Sequence, residues 1–125
     1  MGGKQPVYTE EIESNPIVLS DWRADDNGVL VAGTNYAKGM VLGRVTSAGA
    51  DKGKYKHSLS AETDGSQVPS AILLDDVDAT DSALNAPILL GGKVDKNLLI
   101  LGTGHTLDSI ETGLRDMNIY FGTKG

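Results

Sequence analysis

The 125-residue sequence predicts a mainly β fold with a minor helical part, one or two short helices, and an extended N-terminal arm. Three observations carry this expectation. Sixteen glycines are scattered without a fixed period between short apolar runs, the pattern of tight turns joining short strands. Tyr55, His57 and Leu59 alternate with Lys54, Lys56, Ser58 and Ser60, which is the period of a half-buried strand. Helical periodicity is best developed in one stretch, where Leu107, Ile110, Leu114 and Met117 fall on one face.

Taken in order, residues 1–20 read as the arm and 21–125 as a single β-rich body. Gly2, Gly3, Pro6, Ser14, Asn15 and Pro16 discourage regular structure, while Val7-Tyr8-Thr9 and Ile17-Val18-Leu19 are β-prone pieces too short to bury a face alone. Such pieces are suited to adding as strands to the edge of another sheet. Asp21 to Gly28 reads as a polar turn, with Asn27-Gly28 as its turn signal, followed by a strand over Gly28–Ala32. Lys38-Gly39 turns into a strand over Met40–Thr46, and Ser47 to Gly53 is a loop before the alternating stretch. Val68 to Leu74 reads as a core strand beginning near Pro69. Asp75 to Asn85 reads as an acidic turn, and Ala86–Leu90 as a strand closed by Gly91-Gly92. Asp95 is placed to cap a short helix or turn carrying Leu98, Leu99 and Leu101. Thr106 is placed as N-cap of a helix from about Leu107 to Met117, with Asp108 in its first turn and Gly113 a weak point inside it. Asn118 to Phe121 is a last short strand.

Composition narrows the function classes. The net charge of −6 repels phosphate backbones and anionic lipid, so neither nucleic acid nor a membrane is an expected partner. No apolar run approaches the length of a membrane helix, and Met1-Gly2-Gly3-Lys4-Gln5-Pro6 leads into no apolar stretch of a signal peptide. Synthesis in the cytoplasm as a soluble protein is expected. With no cysteine there is no disulfide, thiolate metal site or cysteine nucleophile.

The residues that could carry chemistry each have a plainer reading. Asp76 and Asp78 copy the first spacing of a calcium loop, but Asp81 stands where that loop needs Gly, and Pro87 where it needs Glu. A solvated turn containing Asp75, Asp76, Asp78 and Asp81 is the expectation. His57 and His105 are the only histidines, and no G-x-S-x-G elbow accompanies them. His57 on its alternating strand is expected in a core or interface, and His105 as a polar neighbour of the helix cap. Gly102-x-Gly104 lacks a third glycine at 107 and reads as a turn into a helix. Trp22, between Asp21 and Arg23, is either an interface anchor or the lid of a small core. No catalytic residue, metal or cofactor is expected.

Three segments carry a family resemblance: Ala32-Gly33 with Lys38-Gly39-Met40-Val41-Leu42-Gly43; Ala71-Ile72-Leu73-Leu74-Asp75-Asp76-Val77-Asp78-Ala79-Thr80; and Ile88-Leu89-Leu90-Gly91-Gly92-Lys93-Val94 with Leu98 or Leu99 behind it. In order and spacing, from Gly33 to Leu101, the chain resembles the head decoration proteins of lambdoid and related tailed phages. The resemblance implies a compact β-tulip-like domain, and the absence of cysteine, the two isolated histidines and the lack of a complete site motif predict that it is not an enzyme. The resemblance further implies a homotrimer on threefold and quasi-threefold axes of the expanded head, bound to the major capsid protein on the outer surface of the virion. It also implies that the N-terminal arm contacts the capsid. By position that role falls on Val7, Tyr8, Thr9, Ile12, Ile17 and Val18, with Trp22 and His57 as interface candidates. The arm departs from the lambdoid pattern of Ser, Thr, Pro, Gly and Ala, carrying instead Glu10, Glu11 and Glu13. The competing reading is a carbohydrate- or receptor-binding β module on a virion surface, which calls for exposed aromatics, and the sequence has few.

Overall fold

The computed structural model describes residues 16–123. The strands are β1 (Ala24–Leu30), β2 (Thr34–Tyr36), β3 (Val41–Arg44), β4 (Tyr55–His57), β5 (Pro69–Leu73), β6 (Val77–Ala79), β7 (Leu84–Asp95) and β8 (Ile119–Gly122). A 3-10 turn, Lys96–Leu98, and one α-helix, α1 (Leu107–Asp116), complete the described elements. The sheet order is β1-β4-β3-β5-β7-β8, and β7 also pairs with β1. That second pairing closes β1, β4, β3, β5 and β7 into a five-stranded barrel, with β8 attached outside it, parallel to β7. β2 and β6 form a separate two-stranded ribbon. The fold is mainly β with one short α-helix, as the sequence predicts.

Alternation along the strands divides the apolar residues between two cores. Leu30, Leu42, Ala71, Leu73, Ala86 and Ile88 point into the barrel, joined by Tyr36, Met40 and Ala79 and flanked by Tyr55. Their neighbours Val41, Ile72, Leu74 and Leu89 point outward and are covered by Ile110 and Leu114 of α1, Ile119 of β8 and Ile17. A strand buried on both faces loses simple alternation, which is why Val68–Leu74 and Ala86–Leu90 read as continuous apolar runs. Full burial of a side chain such as Leu114 contributes about 1.5–3 kcal/mol.

Several boundaries differ from the sequence expectation, each for a physical reason. Asn27-Gly28 is not a turn. It lies inside β1, opposite Pro87 and Ala86. Gly28 answers a packing need there, since a Cβ on it would sit 2.9 Å from Ile88 and Tyr55 side-chain carbons. Gly91-Gly92 does not end its strand. β7 runs through both and changes partner there, from β1 at Gly91 to β8 at Gly92. Gly92 takes φ +141°, a value L side chains rarely adopt. The acidic stretch after Leu74 contains β6, whose partner β2 had no sequence signal beyond its buried Tyr36.

The helix follows its prediction closely. Thr106 accepts the Ser109 N–H while the Ser109 hydroxyl accepts the Thr106 N–H, a reciprocal capping box. Asn118, at φ +68°, ends α1 and starts β8. Asp95 caps the 3-10 turn by accepting the Asn97 N–H.

Val7, Tyr8, Thr9 and Ile12, with the first β-prone piece, lie outside the described residues. The second piece is laced to the body. Val18 bridges Val94 antiparallel, the Leu19 N–H donates to Lys93 O at 2.7 Å, and the Asp95 N–H donates to Ile17 O at 2.7 Å. Ile17 is 2% exposed and belongs to the outer core.

Candidate functional site

The seam between the N-terminal segment and β7 organises the most distinctive surface of the body. Ser20 acts as a clamp just past the Val18 bridge. Its hydroxyl accepts the Lys93 N–H at 2.9 Å and donates to Trp22 O at 2.6 Å. This turns the backbone so that Trp22 projects outward, 52% exposed, rather than closing over either core. Trp22 meets Tyr120 of β8 edge-on, with ring centroids 5.9 Å apart and an interplanar angle of 68°. The Arg115 guanidinium lies over the Tyr120 ring, 5.3 Å from its centroid. Lys93 is the cross-strand partner of Tyr120, so two cations and two aromatic rings share one face. Sequence reading found Trp22 but not Ser20, Lys93, Arg115 or Tyr120. Only the short strand read at Asn118–Phe121 included the last.

His57 is elsewhere, in β4 opposite Leu42. Burial, reinforced by His105 nearby, holds its imidazole below the ordinary histidine pKa, while a hydrogen bond with the Ile100 backbone opposes the shift. Its Nε2 is buried without a hydrogen-bond partner among the described residues.

His105 and Ser58 do meet. His105 Nε2 is 3.3 Å from Ser58 Oγ and 3.1 Å from the Gln67 carbonyl oxygen. A carbonyl oxygen only accepts, so Nε2 carries the proton and is not a base for the serine. Ser58 is fully buried, and among the described residues no carboxylate is hydrogen-bonded to this imidazole. The pair fastens the 102–105 loop to the barrel. Gly102 and Gly104 serve the same packing. A Cβ on Gly102 would fall 1.9 Å from Ser58 O, and one on Gly104 1.8 Å from Ser60 Oγ.

The acidic stretch is occupied with its own turns. Asp76 Oδ1 accepts the Lys38 N–H at 2.7 Å, Asp75 accepts the Asp76 N–H, and Asp78 accepts both the hydroxyl and the N–H of Thr80. The Thr80 bonds hold the Asp78 carboxyl below the usual aspartate range. A shallow depression of ≈ 180 Å³ lies between the 47–52 loop and Asp64, with no histidine on its wall. None of these places brings a nucleophile, a base and an oxyanion donor together.

The chain matches the family model described as Bacteriophage lambda head decoration protein D over residues 12–119. No curated protein matches it closely enough to count as a relative. The match spans most of the chain, including every strand from β1 to β7, α1 and the start of β8. The chain belongs to the bacteriophage lambda head decoration protein D family, non-enzymatic structural proteins that sit on the capsid surface of the virion.

Proposed function

We propose that the protein cements the expanded head as a homotrimer at threefold and quasi-threefold sites, holding the major capsid protein through its N-terminal arm. Family membership carries capsid decoration and stabilisation. The observation that supports the arm mechanism is the seam. Ile17 in the outer core, with the Leu19–Lys93 and Asp95–Ile17 backbone bonds, joins the body to whatever the preceding residues bind. On this reading the last part of the 1–20 arm, Ile17 to Leu19, is laced to the body. Val7, Tyr8, Thr9 and Ile12 supply the extended capsid contact. Ile17 and Val18 anchor the arm to the barrel.

Three linked arms gain avidity, because the second and third bind at high effective concentration. Binding the expanded lattice in preference to the compact one shifts stability toward the expanded state. The test is a sedimentation assay with expanded heads, using the full chain and a chain lacking residues 1–15. The full chain is expected to bind and to raise head resistance to heat or chelators. The truncated chain is expected to keep its fold and lose most of its binding. Equal binding by the two chains refutes the arm mechanism, and failure of the full chain to bind refutes the decoration reading.

A further inference from the structure

Residues 98–105 lead from the 3-10 turn to α1 as a strap laid against β3 and the end of β4. Backbone bonds hold it there. The Ile100 N–H donates to Gly39 O at 2.9 Å, the Val41 N–H to Ile100 O at 3.0 Å, and the Ser60 N–H to Thr103 O at 3.1 Å. Glycines let it approach closely. A Cβ on Gly39 would fall 2.4 Å from Leu98 O, and Gly102 and Gly104 meet Ser58 and Ser60 in the same manner. Leu99 and Leu101 of the strap pack on the outer core.

Two histidines also fasten it, one from each side. His105, on the strap, reaches Ser58 and the Gln67 carbonyl. His57, on β4, reaches the Ile100 backbone. That bond favours the protonated ring, so the Ile100 carbonyl oxygen is the acceptor. Nε2 of His57 is buried without a partner among the described residues, so Nδ1 donates and Nε2 keeps a bare lone pair. A second proton must go to Nε2, where the described residues offer no acceptor. Burial opposes the charge, and His105 adds repulsion. No neighbouring element offsets it. Arg44 of β3 reaches toward Gly53, Lys56 of β4 is paired with Glu62 and Asp64, and β5 carries no charged residue. Among the described residues no carboxylate is ion-paired with His57.

We propose that residues 98–105 form an acid-released strap, closed on the barrel while His57 is neutral and lifted when its imidazole takes a second proton. β3 and β4 are held in the barrel by their strand pairings, so the strap is the neighbour that yields. Lifting it breaks the His57–Ile100 bond and lets water reach the ring. The open fraction then rises by up to ten-fold per pH unit below about 6.5, until the closed-state pKa is reached. An open strap also withdraws Leu99 and Leu101 from the core that holds Ile17.

Amide hydrogen exchange of the full chain, corrected for the intrinsic effect of pH, reads the strap directly. Val41, Ile100 and Ser60 report on the strap, and Val45 and Leu74, bonded to Lys54 and Pro87, report on the barrel. Between pH 7.5 and 5.0 the strap amides are expected to lose at least about five-fold in protection relative to the barrel amides. In His57→Gln, whose side chain does not titrate, the relative protection is expected to stay constant. Parallel change of strap and barrel overturns the proposal, and so does a pH dependence that survives in His57→Gln. A second measurement covers a variant that does not fold. In the parent, the imidazole nitrogen shifts of His57 and the loss of strap protection are expected to share one midpoint. A loss that follows the His105 ring, or neither ring, overturns the proposal.

Discussion

Replacing Ile17 by Ala tests whether the seam is part of the folded body. Ile17 is 2% exposed and packs with Val94, Leu114 and Ile119, from β7, α1 and β8. The substitution removes three carbons, about 2.4 kcal/mol at roughly 0.8 kcal/mol per buried CH₂. The Ile17 carbonyl and the Leu19 N–H are held at 2.7 Å to Asp95 and Lys93, so the segment is hindered from collapsing inward to fill the space. Retained cavity raises the expected loss to about 3 kcal/mol. If the segment instead detaches, the loss is capped at its docking free energy, and the Asp95 N–H loses its acceptor. Urea unfolding separates these outcomes from no effect. With m of about 1–3 kcal/mol/M, the midpoint should fall by about 1–3 M. Amide exchange at Asp95 distinguishes a cavity, with protection kept relative to global stability, from detachment, with protection lost. A midpoint within error of the parent, with Asp95 still protected, would refute the reasoning and return residues 16–20 to the arm.

Other substitutions probe the rest of the body. Gly43→Ala would place its Cβ 1.9 Å from Ser66 O, a backbone atom, and should cost at least about 2 kcal/mol in chemical denaturation. Gly113→Ala meets no atom within 4 Å on the exposed side of α1, so it should stabilise by up to about 1 kcal/mol, seen as a higher melting temperature. Thr106→Ala should act in the opposite direction, costing about 1 kcal/mol through the lost capping box. Burial lowers the folded-state pKa of His57, so between that value and about 6.5 the unfolded chain binds more protons. The stability His57 contributes is complete above about pH 6.5 and declines as pH falls toward the folded-state pKa. Urea midpoints at pH 7.5 and 5.5 should differ in the parent and differ less in His57→Gln; identical differences would assign the pH dependence to other groups.

The parts of the fold legible in the sequence were those that local chemistry decides. Thr106 with the Leu107–Met117 spacing defined α1, Asp95 its 3-10 turn, and Pro69 the start of β5. The errors arose where a distant partner decides. Asn27-Gly28 has turn chemistry, but seven residues of β1 pair along β7 and override it. Gly91-Gly92 looks like punctuation because only backbone without a side chain lets β7 pass from one partner to the next. β2 and β6 are three residues each and exist through each other. At the site, the lone Trp22 was visible as a residue worth explaining. Its neighbours come from β7, α1 and β8, and no local pattern links them to residue 22.

β7 ties the N-terminal segment to the barrel. Its first part pairs with β1 and β5 and belongs to the barrel. Its last four residues, Gly92–Asp95, lie between β8 and the Ile17–Leu19 segment. If the residues before Pro16 bind the capsid as proposed, tension on them loads the antiparallel seam at Val18–Val94 before it reaches the barrel. Strand bonds aligned across the pull share that load, and Ile17 must leave the outer core before the seam can peel. The barrel itself is closed along β1–β7, where the two strands pair over their whole common length. On the proposed arm mechanism the seam is loaded before the barrel, and strengthening the Ile17 pocket should prolong head attachment without any change in the arm's own contacts.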